Sequence, residues 1–107
     1  MSASTSSRKG VLVRAPLSLK QALIRETARR GVSLNDVAVG LLAREFDVSY
    51  RPTGRRSALP GASPVLLLRM PADLKHEIEK EARRSGSSSN EVILRALADA
   101  LAVPLSP

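Results

Sequence analysis

The chain has 107 residues, no cysteine, two Met, one Tyr, one Phe and a formal net charge of +7. That length suits one domain, and the missing cysteines exclude a disulfide frame and a thiolate metal site. The charge favours an anionic partner, nucleic acid ahead of an anionic membrane surface.

Residues 1–9, "MSASTSSRK", read as a flexible basic arm carrying Arg8 and Lys9. No apolar segment follows these basic residues, so the start does not read as a secretory signal. No apolar run approaches the roughly 18 residues of a membrane span, and a soluble intracellular protein is expected. "VLVRA" (11–15) is short and rich in Val, which predicts a strand. Pro16 then suits the first turn of a helix, where a missing N–H costs nothing.

That helix is predicted over 17–30, with Leu19, Leu23 and Thr27 on one face at spacing four. Gly31 ends it as a left-handed cap. Ser33 caps a second helix, with Asp36 three residues on as an imperfect capping box, and Val37, Leu41 and Leu42 face the core. Residues 49–64, "SYRPTGRRSALPGASP", read as a linker with Arg51, Arg55 and Arg56.

From residue 65 the chain repeats itself. An offset of 55 residues aligns 10–48 with 65–103 without a gap. Identical pairs include Arg14/Arg69, Pro16/Pro71, Leu19/Leu74, Gly31/Gly86, Ser33/Ser88 and Asn35/Asn90. The second copy therefore predicts a strand at 65–70, a helix at 72–85 and a further helix capped by Ser88 with Glu91. Its core positions are Leu74, Ile78 and Ala82, then Val92, Ile93, Leu97 and Leu101. Residues 104–107 form a short tail.

A unit of roughly 39 residues is too small to hold a core alone without a metal, a disulfide or a partner. The second copy is the nearest partner, and two lone strands related by a two-fold axis would pair antiparallel. Fully extended, the 16-residue linker spans about 50 Å, enough for both copies to meet within one chain. A domain-swapped dimer is the alternative.

Five of the seven net positive charges lie at Arg8, Lys9, Arg51, Arg55 and Arg56. Such arms track phosphates or enter a minor groove, or serve only as solvated linkers. Lys20, Arg25, Lys75 and Lys80 read as solvated helix faces, and Glu77/Glu81 as a like-charge pair. His76 is the only histidine. The residues suggest no catalytic set, no metal site and no cofactor, so a non-enzyme is expected.

"LLLRMPADLKHEIEKEARRSGSSSNEVILRALADAL" resembles the ribbon-helix-helix family of bacterial repressors and antitoxins, the Arc/MetJ/CopG type. The likeness lies in R-x-P at the end of the strand, L-x-x-x-[IL] in the first helix and G-x-S-x-N at the start of the second. "VRAPLSLKQALIRETARRGVSLNDVAVGLLAREF" is similar to the same motif, and to the C-terminal domain of HicB-type antitoxins. The resemblance implies a mainly α fold: a pseudo-two-fold module with a two-stranded antiparallel ribbon and four helices. It implies double-stranded DNA as partner, with the ribbon in the major groove.

Carried onto these positions, it makes Arg14 and Arg69 base readers, with Leu12 and Leu67 able to touch thymine methyls. Family members usually have a polar residue where these leucines stand, so a ribbon packed against protein is the rival reading. Ser33, Leu34 and Asn35, with Ser88, Ser89 and Asn90, would hold phosphates at the helix starts. The implied role is a cytoplasmic, nucleoid-bound repressor or autoregulator, able to self-associate along DNA. The alternatives are an antitoxin-like or assembly module with a toxin or regulator as partner, and a nucleoid coater. Only "PLSP" follows Val103, which ranks the antitoxin reading lower.

Overall fold

The computed structural model describes residues 8–51 and 65–103. The element order is β1 (Arg8–Arg14), α1 (Leu17–Arg30), α2 (Leu34–Glu45), β2 (Val65–Pro71), α3 (Ala72–Ser85) and α4 (Ser89–Leu101). Among the described residues the protein is mainly helical, with four helices and one two-stranded antiparallel sheet made by β1 and β2 of the same chain.

Strand register follows the repeat. Leu12 lies opposite Leu67, its own equivalent 55 residues on, while Gly10 faces Arg69 and Arg14 faces Val65. β1 starts at Arg8, ahead of the expected residue 11, because Met70 and Pro71 provide partners for Lys9 and Arg8. Arg8 and Lys9 therefore belong to the strand and not to the arm. Residues 1–7, the linker from 52 to 64 with Arg55 and Arg56, and the tail 104–107 lie outside the described residues.

Period-two alternation sorts the ribbon into two faces. Val13, Leu66, Leu68 and Met70 are buried, and Leu12, Arg14, Leu67 and Arg69 are exposed. Beneath the inner face a single apolar cluster draws on both copies. It includes Leu19, Leu23, Val37 and Leu42 from the first and Leu74, Ile78, Ile93 and Leu97 from the second. Neither copy would close this core alone, which is the expected consequence of its size. Val39, unremarked in the sequence, is also fully buried.

Local chemistry accounts for the helix ends. Pro16 and Pro71 sit one position ahead of the first helical residue, as N-caps with extended ψ of 154 and 148. That conformation turns the chain from strand to helix. Gly31 and Gly86 close α1 and α3 at φ 71 and 72, in the left-handed region open to glycine. Ser33 Oγ accepts from the Asp36 N–H at 3.0 Å, and Ser88 Oγ from the Glu91 N–H at 3.1 Å.

Only Glu91 completes the box, accepting from the Ser88 N–H at 3.0 Å. Asp36, one methylene shorter, is buried and accepts instead from the Tyr50 hydroxyl at 2.7 Å. The helix charges also differ from expectation. Lys20 is buried, at 2 % exposure, rather than solvated. Glu77 and Glu81 are each relieved by a cation, Lys80 and Arg84 respectively, at 3.5 and 2.6 Å.

The ends of α2 and α4 carry strain that the sequence does not announce. Asp47 and Ala102, again 55 residues apart, both adopt φ 56. The next residue then bonds back into the helix: Val48 N–H to the Ala43 carbonyl at 2.8 Å, Val103 N–H to Ala98 at 2.9 Å. A side chain in the left-handed region costs roughly 1–2 kcal/mol, while glycine's added unfolded freedom costs about 0.4–1 kcal/mol. Ala102→Gly, at an exposed site, is therefore expected to raise stability by about 0.5–1 kcal/mol. Thermal melting checks this; a lower melting temperature would show that the Ala102 methyl contributes packing.

Candidate nucleic-acid interface

The ribbon's outer face collects the four residues assigned to base contact. Leu12 and Leu67 meet at its centre, and Arg14 and Arg69 stand at opposite ends on opposite strands. At 69 % and 52 % exposure, Leu12 and Leu67 are among the few large apolar side chains left open to solvent.

Hydrogen bonds hold this face at both edges. The Arg14 N–H donates to Asn90 Oδ1 at 2.8 Å, and Asn90 Nδ2 donates to the Arg14 carbonyl at 3.4 Å. In the other half the Arg69 N–H donates to Asn35 Oδ1 at 2.7 Å, and Asn35 Nδ2 to the Arg69 carbonyl at 3.0 Å. Each asparagine sits in the first turn of a second helix and continues the hydrogen bonding of the other copy's strand. These bonds point outward from the ribbon, so Arg14 and Arg69 lie at non-hydrogen-bonded pair positions. So, by alternation, does Leu12/Leu67, where facing Cα atoms come within about 4.5 Å.

The helix starts thus flank the ribbon, α4 beside Arg14 and α2 beside Arg69. All six residues assigned to phosphate contact fall there. Ser33 is buried, Ser88 is exposed, and Leu34, Asn35, Ser89 and Asn90 are half-buried. Both serine hydroxyls act as caps, and both asparagine amides are bound to strand backbone. What these turns can offer an anion is their main-chain N–H groups, which a helix start leaves without intrahelical acceptors.

Lys9 and Arg51 are also exposed; Lys9 pairs with Met70, at an inner-face position at the end of the ribbon, and Arg51 directly follows the Tyr50 that is bonded to Asp36. On the β1 flank, Lys75 Nζ meets Glu79 Oε2 at 2.6 Å, in a shallow depression shared with Gly10, Leu12 and Ser89. The hydrogen bond from Lys75 holds the Glu79 carboxyl below the usual carboxylate range. At the end of α1, hydrogen bonds from Arg29 and then Arg30 do the same for Glu26.

Two contacts escaped the sequence reading. The asparagine ties were signalled by identical Asn residues two positions after each cap, where a plain cap has no use for them. The Tyr50–Asp36 bond had no local signal. Among the described residues no group of His, Asp and Glu is placed to hold a metal ion, and no helix is long and apolar enough to cross a membrane. No family model, no curated protein and no solved structure matches this chain.

Proposed function

We propose that this chain is a single-chain ribbon-helix-helix pseudo-dimer that binds double-stranded DNA. The β1–β2 ribbon enters the major groove. Arg14 and Arg69 read guanine edges, and Leu12 and Leu67 lie against thymine methyls. The starts of α2 and α4 hold phosphates on either side. Lys9 and Arg51 add charge near the backbone, with Arg8, Arg55 and Arg56 assigned the same role. The protein performs no catalysis in this reading. It acts in the cytoplasm, at the nucleoid, as a repressor or autoregulator, and its copies can line up along DNA.

One observation carries the reading: two exposed arginines at repeat-equivalent positions share one face of a two-stranded ribbon, and a helix start is bonded to the backbone of each. A helix or a two-stranded ribbon is what the major groove admits. A second reading, a protein-binding module of antitoxin or assembly type, draws on the exposure of Leu12 and Leu67, which a protein partner would also cover.

Fluorescence anisotropy across a salt series separates these readings, using the protein's own promoter and a random duplex. We expect the promoter to bind at least about a hundredfold tighter, within the range for specific sites. Arg14→Ala/Arg69→Ala should remove most of that margin, since each bidentate contact contributes roughly 1–3 kcal/mol of discrimination. Equal binding of both duplexes with a steep salt slope, untouched by the substitutions, would point to backbone coating alone. Binding to neither would leave the protein-interaction module.

A further inference from the structure

We propose that the ribbon reads its two half-sites unequally and therefore binds DNA in one direction, with Val65 and Gly10 as the residues that set the difference. The inference rests on the DNA-reading function proposed above.

Positions 10 and 65 are equivalent in the repeat, yet one is glycine and the other valine. Register sets each of them across from an arginine. Arg14 faces Val65 at one end of the ribbon, and Arg69 faces Gly10 at the other. The two ends thus present the same guanidinium beside different neighbours: the isopropyl group of Val65 next to Arg14, and a glycine covered by the tip of Leu67 next to Arg69.

The glycine also changes its surroundings. A Cβ at Gly10 would come within 3.3 Å of Leu67 Cδ1, so Leu67 leans over the gap that the glycine leaves. Leu67 is accordingly 52 % exposed, against 69 % for Leu12, its equivalent. The Arg14 end therefore carries two apolar side chains, Val65 and Leu12, where the Arg69 end carries Leu67 alone, drawn down over the glycine. Both differences act on the same base feature. The thymine C5-methyl is the apolar group that the major groove offers, and where a thymine neighbours the base an arginine reads, an apolar side chain beside that arginine can cover it.

It follows that the half-site under Arg14 favours thymine next to its guanine. The half-site under Arg69 tolerates any base there. Replacing that thymine should weaken binding about fivefold or more, toward the low end of a single mismatch. The same change in the other half-site should cost less than about twofold, below that range.

The test is selection of binding sites from a randomised duplex library, with wild type, Gly10→Val and Val65→Gly in parallel. Wild type should yield a site with thymine next to the guanine in the Arg14 half only, apart from any thymines that Leu12 and Leu67 select at the centre. Gly10→Val should yield a near-palindrome with thymine next to the guanine in both halves, and Val65→Gly one with thymine at that position in neither. Gly10→Val is expected to fold, because position 10 is exposed and the near contact is the end of a flexible leucine. Valine also suits a strand better than glycine. Circular dichroism melts of all three proteins verify this. A symmetric wild-type site, or an asymmetry that survives Gly10→Val in a folded protein, overturns the proposal while base reading stands. No enriched sequence with any of the three overturns base reading, and this inference with it.

Discussion

Alanine at both Asn35 and Asn90 is expected to destabilise the protein by about 2–4 kcal/mol and to loosen the ribbon ahead of the helices. Each side chain serves the N–H and the carbonyl of one strand residue, at 2.7 and 3.0 Å for Asn35 and at 2.8 and 3.4 Å for Asn90. A hydrogen bond contributes roughly 0.5–1.5 kcal/mol net, and the 3.4 Å contact belongs at the weak end. Small domains have only about 5–15 kcal/mol in total, so the double variant should melt some 10–25 °C lower. Urea unfolding measures the loss. Hydrogen exchange locates it, because the Arg14 and Arg69 amides should lose protection first. Asn90→Asp supplies a control: it keeps the acceptor of the 2.8 Å bond and turns the longer contact into a carboxylate oxygen facing the Arg14 carbonyl. A double variant as stable as wild type would mean that water replaces these ties at no cost.

Leu68→Ala should cost about 3–5 kcal/mol, whereas Leu67→Ala, one residue away, should cost less than about 1 kcal/mol. Leu68 has no exposed surface and belongs to the core cluster joining both copies. Removing three carbons there loses their transfer free energy and leaves a cavity that the β1–β2 pairing prevents from collapsing fully. Leu67 is half exposed on the opposite face. The contrast tests register itself, because a one-residue slip would exchange the two faces and reverse the two costs. Equilibrium unfolding of both variants decides it; similar costs would refute the alternation. Leu67→Ala should leave the fold intact and so be available for DNA-binding measurements.

Much of this architecture is decided by neighbours in the chain. Val and Leu at period two, apolar residues at spacing four, Gly31 and Gly86, and Ser33 and Ser88 are local signals. Each acts within a few residues of itself, so the helix bounds of α1 and α3 could be read directly. The two-face division of the ribbon follows from alternation along each strand, and the family resemblance singled out Arg14 and Arg69, which stand on its outer side. The need for one copy to complete the other came from the size of the repeat.

Tertiary structure decided what depends on residues far apart. Asn35 bonds across 34 positions and Asn90 across 76, so their repetition after each cap marks a shared role, but nothing near either one names the strand residue it serves. β1 extends back to Arg8 because Met70 and Pro71 lie opposite, not because of any preference in "RK". Asp36 forgoes the capping box that Glu91 forms because it is too short and Tyr50 reaches it. Lys20 is buried although its repeat equivalent Lys75 is only half-buried and pairs with Glu79. The unequal ends of the ribbon arise only once β1 and β2 are in register and Leu67 settles over Gly10. Short-range sterics and hydrogen bonding write the two copies almost alike; their mutual packing, which joins positions tens of residues apart, makes them differ.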